Sequence, residues 1–211
     1  MNLPDVGHVL YAIEVVGVVA FAFSGISAAA RQQLDLVGVT AVAGLAAFGG
    51  GTLRDLLLDR RPLFWVEHVE LVWLILALAV AAVLFMRARH IAPTQRAMQW
   101  PDAIGMGFFS AGGTQIALGM EMPALVAVIM GLFTATFGGV LRDIVCNQIP
   151  SVFSDHRLYA ICAFAGGWVL VACHAAALPT ALALIIAALF ATVMRMLAIA
   201  FNWQLPRWRM E

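Results

Sequence analysis

The stretch "GGGTLRDLLLDRRP" at residues 49–62 returns as "FGGVLRDIVCNQIP" at residues 137–150, an offset of 88. Gly50, Gly51, Leu53, Arg54, Asp55 and Pro62 are matched by Gly138, Gly139, Leu141, Arg142, Asp143 and Pro150. Continued without a gap, the same offset pairs Glu14 with Asp102, Gly17 with Gly105, Phe21 with Phe109, Gly25 with Gly113, Glu67 with Asp155 and His68 with His156. The identities favour glycine and charged residues over plain apolar ones, which chance likeness between greasy segments does not produce. A fixed internal period of this kind governs the whole architecture. Each half must fold alike, and any site built from the motif must occur twice.

The chain that carries the repeat is 63% hydrophobic and 11% charged, with a mean hydropathy of +0.94. Ordinary soluble domains carry about 45–50% apolar and about 25% charged residues. An all-α polytopic membrane protein is therefore expected, organised as one transmembrane domain over 1–211. A span needs about 20 mostly apolar residues, which yields seven: 8–29, 36–58, 69–86, 102–118, 123–145, 157–173 and 179–201. The first lacks a basic leader and is interrupted by Glu14, so it reads as a retained span. Repeat 1 covers about 8–88 and repeat 2 about 100–176, each with three spans. An odd number obliges the second copy to enter from the opposite face, giving 3+3 inverted repeats, with a seventh helix at about 179–203 outside the duplication. Its "ALALIIAALFA" stretch suits close packing within the bundle or against a neighbouring subunit.

All twelve basic residues are arginine. Taken by alternate sides, Arg31, Arg87, Arg89, Arg96, Arg157, Arg207 and Arg209 share one face, and Arg60 and Arg61 the other. The richer face is expected to be cytoplasmic, with the N-terminus outside and the C-terminus inside. Trp65, Trp100, Trp203 and Trp208 fit interfacial anchors. Formal net charge is zero, and no basic run invites nucleic acid. Cys146, Cys162 and Cys173 lack metal-ligand spacing and read as small core residues. No metal or cofactor is expected. HExxH, CxxC and phosphate-loop motifs are missing, and no span carries a nucleophile, base and orienter at workable spacing, so an enzyme is not expected.

Inverted repeats with interrupted helices in matching places point to a pathway near the midplane. Consecutive glycines cost a helix about 1 kcal/mol each relative to alanine. Gly49, Gly50 and Gly51, with Gly138 and Gly139, are expected to kink or unwind the second and fifth spans; tight helix crossing is the other use of such residues. Intramembrane charges face the interior and pair. Adjacent residues point about 100° apart on a helix, so the expected pairs run across the repeats, Arg54 with Asp143 and Arg142 with Asp55, with snorkelling to the interface as the other outcome. Glu14 and Asp102 read either as acids suiting a first helical turn or as a cation-attracting vestibule. His68 and His156 read as solvated interfacial histidines, and Arg195 as snorkelling to the cytoplasmic headgroups. Polar lining could come from Ser24, Ser27, Thr52, Ser110, Thr114, Gln115, Thr134 and Thr136, which could equally bond to carbonyls one turn back.

The doubled "GGGTLRD" and "FGGVLRD", each with a downstream proline in a chain of three plus three plus one spans, resemble the prokaryotic branch of the trimeric intracellular cation (TRIC) channel family. The resemblance covers roughly residues 10–200. It implies a homotrimer in the bacterial or archaeal inner membrane, surrounded by lipid. Each protomer would have its own pore along the kinked second and fifth helices and pass monovalent cations, chiefly potassium. The pore elements carried over are Gly49, Gly50, Gly51, Arg54, Asp55, Gly138, Gly139, Arg142 and Asp143. Animal members use lysine-bearing motifs here, and this chain has no lysine, so their gating assignments do not transfer. Some bacterial relatives are regarded as glycine transporters, which makes a carrier of small zwitterionic amino acids the competing expectation: an arginine suits a substrate carboxylate.

Overall fold

The helix ends are set by local chemistry. A computed structural model describes residues 6–85, 95–154 and 158–205. The helices run α1 Val6–Arg31, α2 Leu36–Leu57, α3 Phe64–Glu67, α4 Val69–Phe85, α5 Gln95–Gly119, α6 Ala124–Val145, α7 Ser151–Ser154, α8 Tyr159–Ala175 and α9 Thr180–Ala200. Asp35 caps α2 by accepting the Gly38 N–H at 2.8 Å. Pro123 and Pro179 stand at the starts of α6 and α9, where a missing N–H costs nothing. Six helix ends turn through a left-handed residue without glycine: Gln33, Asp59, Glu121, Asn147, Ala177 and Asn202. After each, an N–H closes on the carbonyl five residues back, as from Arg60 to Asp55 and from Gln148 to Asp143. Gln33 and Glu121 stand 88 apart, as do Asp59 and Asn147, so the repeat extends to its turns.

Among the described residues, seven long helices overlap the seven expected segments. Four of them, α1, α2, α6 and α9, are long and apolar enough to cross a membrane; α4 and α8 are shorter apolar helices. Two differences stand out. The chain forms single-turn helices α3 and α7 after each motif, and α5 runs through Pro101 back to Gln95.

Packing follows the repeat closely. α1 lies on α2 and α5, α6 lies on α2 and α5, and α9 lies on α5 and α8. A β-carbon on Gly17 would strike the Phe109 ring, and one on Gly105 would strike the Phe21 ring; the two rings meet at 5.4 Å. A β-carbon on Gly50 would fall on the Thr134 carbonyl, and one on Gly138 on the Ala46 carbonyl. In both pairs the contact between residue i and residue j + 88 is answered by one between i + 88 and j. That reciprocity is the rule of a two-fold axis.

The glycines do not break their helices. α2 runs unbroken through Gly49, Gly50 and Gly51, and α6 through Gly138 and Gly139. What they permit is close backbone approach between α2 and α6, so the expected unwinding is corrected in favour of tight crossing. α9 closes the bundle with Ala183, Leu184, Ala187, Ala188 and Ala191 buried, while Leu182, Ile185, Leu189 and Phe190 face outward.

Candidate functional site

The crossing fixes where the motif charges go. Gly50 faces Thr134 and Gly138 faces Ala46, so α2 and α6 run antiparallel about a centre near Phe48 and Thr136. Arg54 lies six residues past that centre and Arg142 six residues past it in the other direction. At 1.5 Å per residue, about 18 Å of helix separates them. Pairing of Arg54 with Asp143, or Arg142 with Asp55, is therefore ruled out by geometry. Each arginine instead meets the carboxylates of its own repeat.

In the first centre, Arg54 Nη1 lies 3.0 Å from Glu14 Oε1, and its Nε donates to Asp55 Oδ1 at 2.8 Å. The long arginine side chain folds back onto the neighbouring carboxylate, a contact that the 100° argument excluded by treating both side chains as rigid spokes. Asp55 Oδ2 accepts the Phe64 N–H at 2.8 Å, which ties the start of α3 to the end of α2. The guanidinium lies over the Phe64 ring, 5.4 Å from its centroid. Arg60 approaches from the rim, 3.9 Å from Asp55.

The second centre repeats this plan with added polar groups. Arg142 Nη1 donates to Asp102 Oδ1 and to Ser24 Oγ, and its Nε donates to Asp143 Oδ1 at 2.8 Å. Asp143 Oδ2 accepts the Ser151 N–H at 2.7 Å, tying down α7. The Ser24 hydroxyl also lies 3.2 Å from the Met98 carbonyl and 3.4 Å from Asp102 Oδ1. Tyr159, from α8, is buried beside the centre, and the Arg195 guanidinium stacks on its ring at 4.6 Å.

These residues are sealed in the bundle: Arg54, Asp55, Arg142 and Asp143 are each at most 3% exposed. Glu14 is the ninth residue of α1 and Asp102 the eighth of α5. Both are buried partners of an arginine, neither caps a helix, and neither lines an open vestibule. Arg195 is 2% exposed and does not snorkel. Of the polar lining candidates, only Ser24 reaches a centre. Thr52, Thr134, Thr136 and Ser27 bond to carbonyls one turn back, and Ser110 bonds to the Ala163 carbonyl of α8. Thr114 is buried against Gly131 and Gly167, and Gln115 meets His174 at 2.7 Å.

Trp65 donates to Thr52 at 3.1 Å, while Trp100 and Trp203 are exposed as anchors would be. The three cysteines are free and buried. His68 meets Glu70 at 3.0 Å. Asp155, His156, Arg157, Arg87, Arg89, Arg207, Arg209 and Trp208 lie outside the described residues, as does the side chain of Arg96. Sequence reasoning missed Phe64, Tyr159 and the inward turn of Arg195. A signal existed for the tyrosine: the chain has only two, and each sits in an apolar segment where its hydroxyl has to find company.

The model of the glycine transporter family matches the chain twice, over residues 11–87 and 99–175, with the same offset of 88. The chain belongs to that family. This glycine transporter (TRIC) family relative is 35% identical over 75% of its length to a UPF0126 membrane protein of Vibrio cholerae, of which the alignment covers 65%. It is 30% identical to the UPF0126 inner membrane protein YadS of Escherichia coli K12, over 96% of this chain and 97% of that one. Among solved structures it resembles the TRIC trimeric intracellular cation channel orthologue from Rhodobacter sphaeroides, with a TM-score of 0.86 and 32% identity over 92% of this chain and 99% of that one. A second structure, from work on conductance through TRIC cation channels, matches with a TM-score of 0.84 and 31% identity over 95% of this chain and 98% of that one. With its apolar helices, this family member is a multi-pass membrane protein.

Proposed function

We propose that the protein is a monovalent cation channel permeable to potassium, with one path per protomer beside α2 and α6. The observation that carries this reading is the charge of the two centres. Each buried core sets two carboxylates against one guanidinium, Glu14 and Asp55 around Arg54, Asp102 and Asp143 around Arg142. Both cores are formally −1, with Arg60 at the rim of the first and Arg195 behind the Tyr159 ring of the second. An arginine in a cation path repels the ion unless carboxylates offset it, and here they do so twice over. The likeness to TRIC cation channel structures supports the same reading.

The arrangement goes with it: seven spans, two inverted repeats of three and a closing seventh, assembled as a homotrimer in the inner membrane of the cell, N-terminus outside and C-terminus cytoplasmic. The reciprocal contacts and the doubled family match support the repeats, and the arginine distribution supports the orientation. Membrane lipid is the remaining partner.

One observation favours a second reading, a carrier of glycine or another small zwitterion. Arg142 Nη2 is buried with no hydrogen-bond partner among the described residues, and a substrate carboxylate would satisfy it. Reconstitution of the full chain into planar bilayers and liposomes decides between the two. Unitary potassium currents insensitive to glycine are expected. Saturable glycine counterflow without unitary currents would overturn the channel.

A further inference from the structure

Four of the five motif glycines are crowded by their neighbours. A β-carbon on Gly49 would meet Leu141 and the Gly138 backbone; on Gly50, the Thr134 carbonyl; on Gly51, the Phe64 ring; on Gly138, the Ala46 carbonyl. Gly139 differs. A β-carbon there would stand 3.5 Å from Tyr159 Oη, 3.6 Å from Arg142 Nη2 and 3.6 Å from Asp102 Oδ1. Nothing collides with it, yet three polar atoms converge on the place. Arg142 is 0% and Tyr159 3% exposed; Arg142 Nη2 has no hydrogen-bond partner among the described residues, and the Tyr159 hydroxyl lies beside the Asp102 carboxylate. Alanine would fit sterically and would favour the helix, so packing gives no reason for glycine.

The matching place in the first repeat is filled. The Phe64 ring lies over Gly51 and beneath the Arg54 guanidinium, so hydrocarbon and a cation–π contact close that centre. In the second repeat no ring of a described residue enters, and a tyrosine hydroxyl from α8 borders the space instead.

We propose that the space over Gly139 is a binding position for a single acceptor oxygen; Arg54 Nη2 is likewise without a partner among the described residues, but in that centre the Phe64 ring takes the matching place. The donor set defines the chemistry. Arg142 Nη2 can only donate, which excludes a cation at that spot. An oxygen placed there accepts from Arg142 Nη2 and lies within reach of Tyr159 Oη. Two sources can supply it. A water molecule would also donate to Asp102 Oδ1, reaching the three partners usual for buried water. One carboxylate oxygen of a small zwitterion would accept from Arg142 Nη2, with its cationic end turned to Asp102.

Thermal melting of the full-length wild type, Gly139→Ala and Gly139→Ser tests the site without reference to transport. Each is measured in micelles with glycine, with acetate, and with sodium chloride at equal ionic strength. A carboxylate occupant raises the melting temperature of the wild type with glycine or acetate over chloride, and Gly139→Ala abolishes the rise. A water occupant gives no ligand response, a lower melting temperature for Gly139→Ala, and recovery in Gly139→Ser, whose hydroxyl oxygen stands in for the water. Either pattern supports the site. It is overturned if Gly139→Ala melts like the wild type with no ligand response, if serine recovers nothing, or if the ligand response survives in Gly139→Ala.

Discussion

Gly50→Ala separates two physical accounts of the motif by the sign of its effect. If the glycines serve to loosen the helix, alanine removes a penalty and stabilises α2 by about 1 kcal/mol. If they serve close approach, alanine places a methyl on the Thr134 carbonyl. A carbonyl inside a helix has no rotamer to turn to, so α2 and α6 must part. Overpacking of a tight interface costs about 1–3 kcal/mol, and a backbone obstacle with no give puts this site at the upper end. After the propensity gain is set against it, a net loss of about 2 kcal/mol remains. At about 2–4 °C per kcal/mol for a chain of this size, the melting temperature should fall by about 4–8 °C. Gly138→Ala meets the Ala46 carbonyl at the same crossing and should cost as much. The double variant should cost clearly less than the sum, because helices already parted by one methyl make room for the second. Melting of the four proteins in detergent measures all of this. A Gly50→Ala protein more stable than the wild type would refute the close-approach account.

The charge network yields two further expectations. Arg54→Gln strands the buried Glu14 and Asp55 carboxylates and should cost about 3–5 kcal/mol; Glu14→Gln leaves Arg54 paired with Asp55 and should cost less, and the double variant should cost less than the sum of the two in a melting cycle. Exchanging Arg54 with Asp143, by contrast, should rescue nothing, since about 20 Å of helix lies between them. Arg142→Lys keeps the charge but loses the fork that holds Asp143 through Nε and Asp102 through Nη1. Loss of one or two charge-assisted bonds at about 1.5–3 kcal/mol each should lower the melting temperature by several degrees. A lysine variant that melts with the wild type would show that point charge alone suffices.

The long helices and their pairing into halves were legible because apolar length and a gap-free repeat are one-dimensional signals. Asp35 before α2 and the prolines before α6 and α9 are local signals too. The partners of Arg54 and Arg142 were not legible, although Glu14 and Asp102 had already been paired with each other by the offset. Their spacing from the motif, 40 residues in each half, says nothing about facing until α1 is laid on α2 and α5 on α6. The glycines misled for a related reason: the same residue type permits both a break and a close approach, and only the carbonyls of Thr134 and Ala46, supplied by the other half, decide between them. Arg195 misled because snorkelling was judged from its depth in the helix, whereas the Tyr159 ring gives it an inward partner.

The crossing and the charges explain one another. Two centres, each with an excess carboxylate, would repel if they shared one level of the bundle. Antiparallel packing about Phe48 and Thr136 sets them apart by about 18 Å, beyond a Debye length of about 8 Å at physiological salt, although screening is weaker in a buried interior. The close approach at Gly50 and Gly138 leaves no space for a methyl group, so a route from one centre to the other along α2 and α6 has to pass that contact. On the channel reading, ion entry is then favoured electrostatically from either side, while passage is opposed by helix packing. The two terms can be separated by experiment. Charge removal at Glu14 or Asp102 should weaken cation entry, whereas a methyl at Gly50 should change the opening equilibrium and leave ion preference as it was. A Gly50→Ala channel with altered ion preference would show that the crossing also touches the ion.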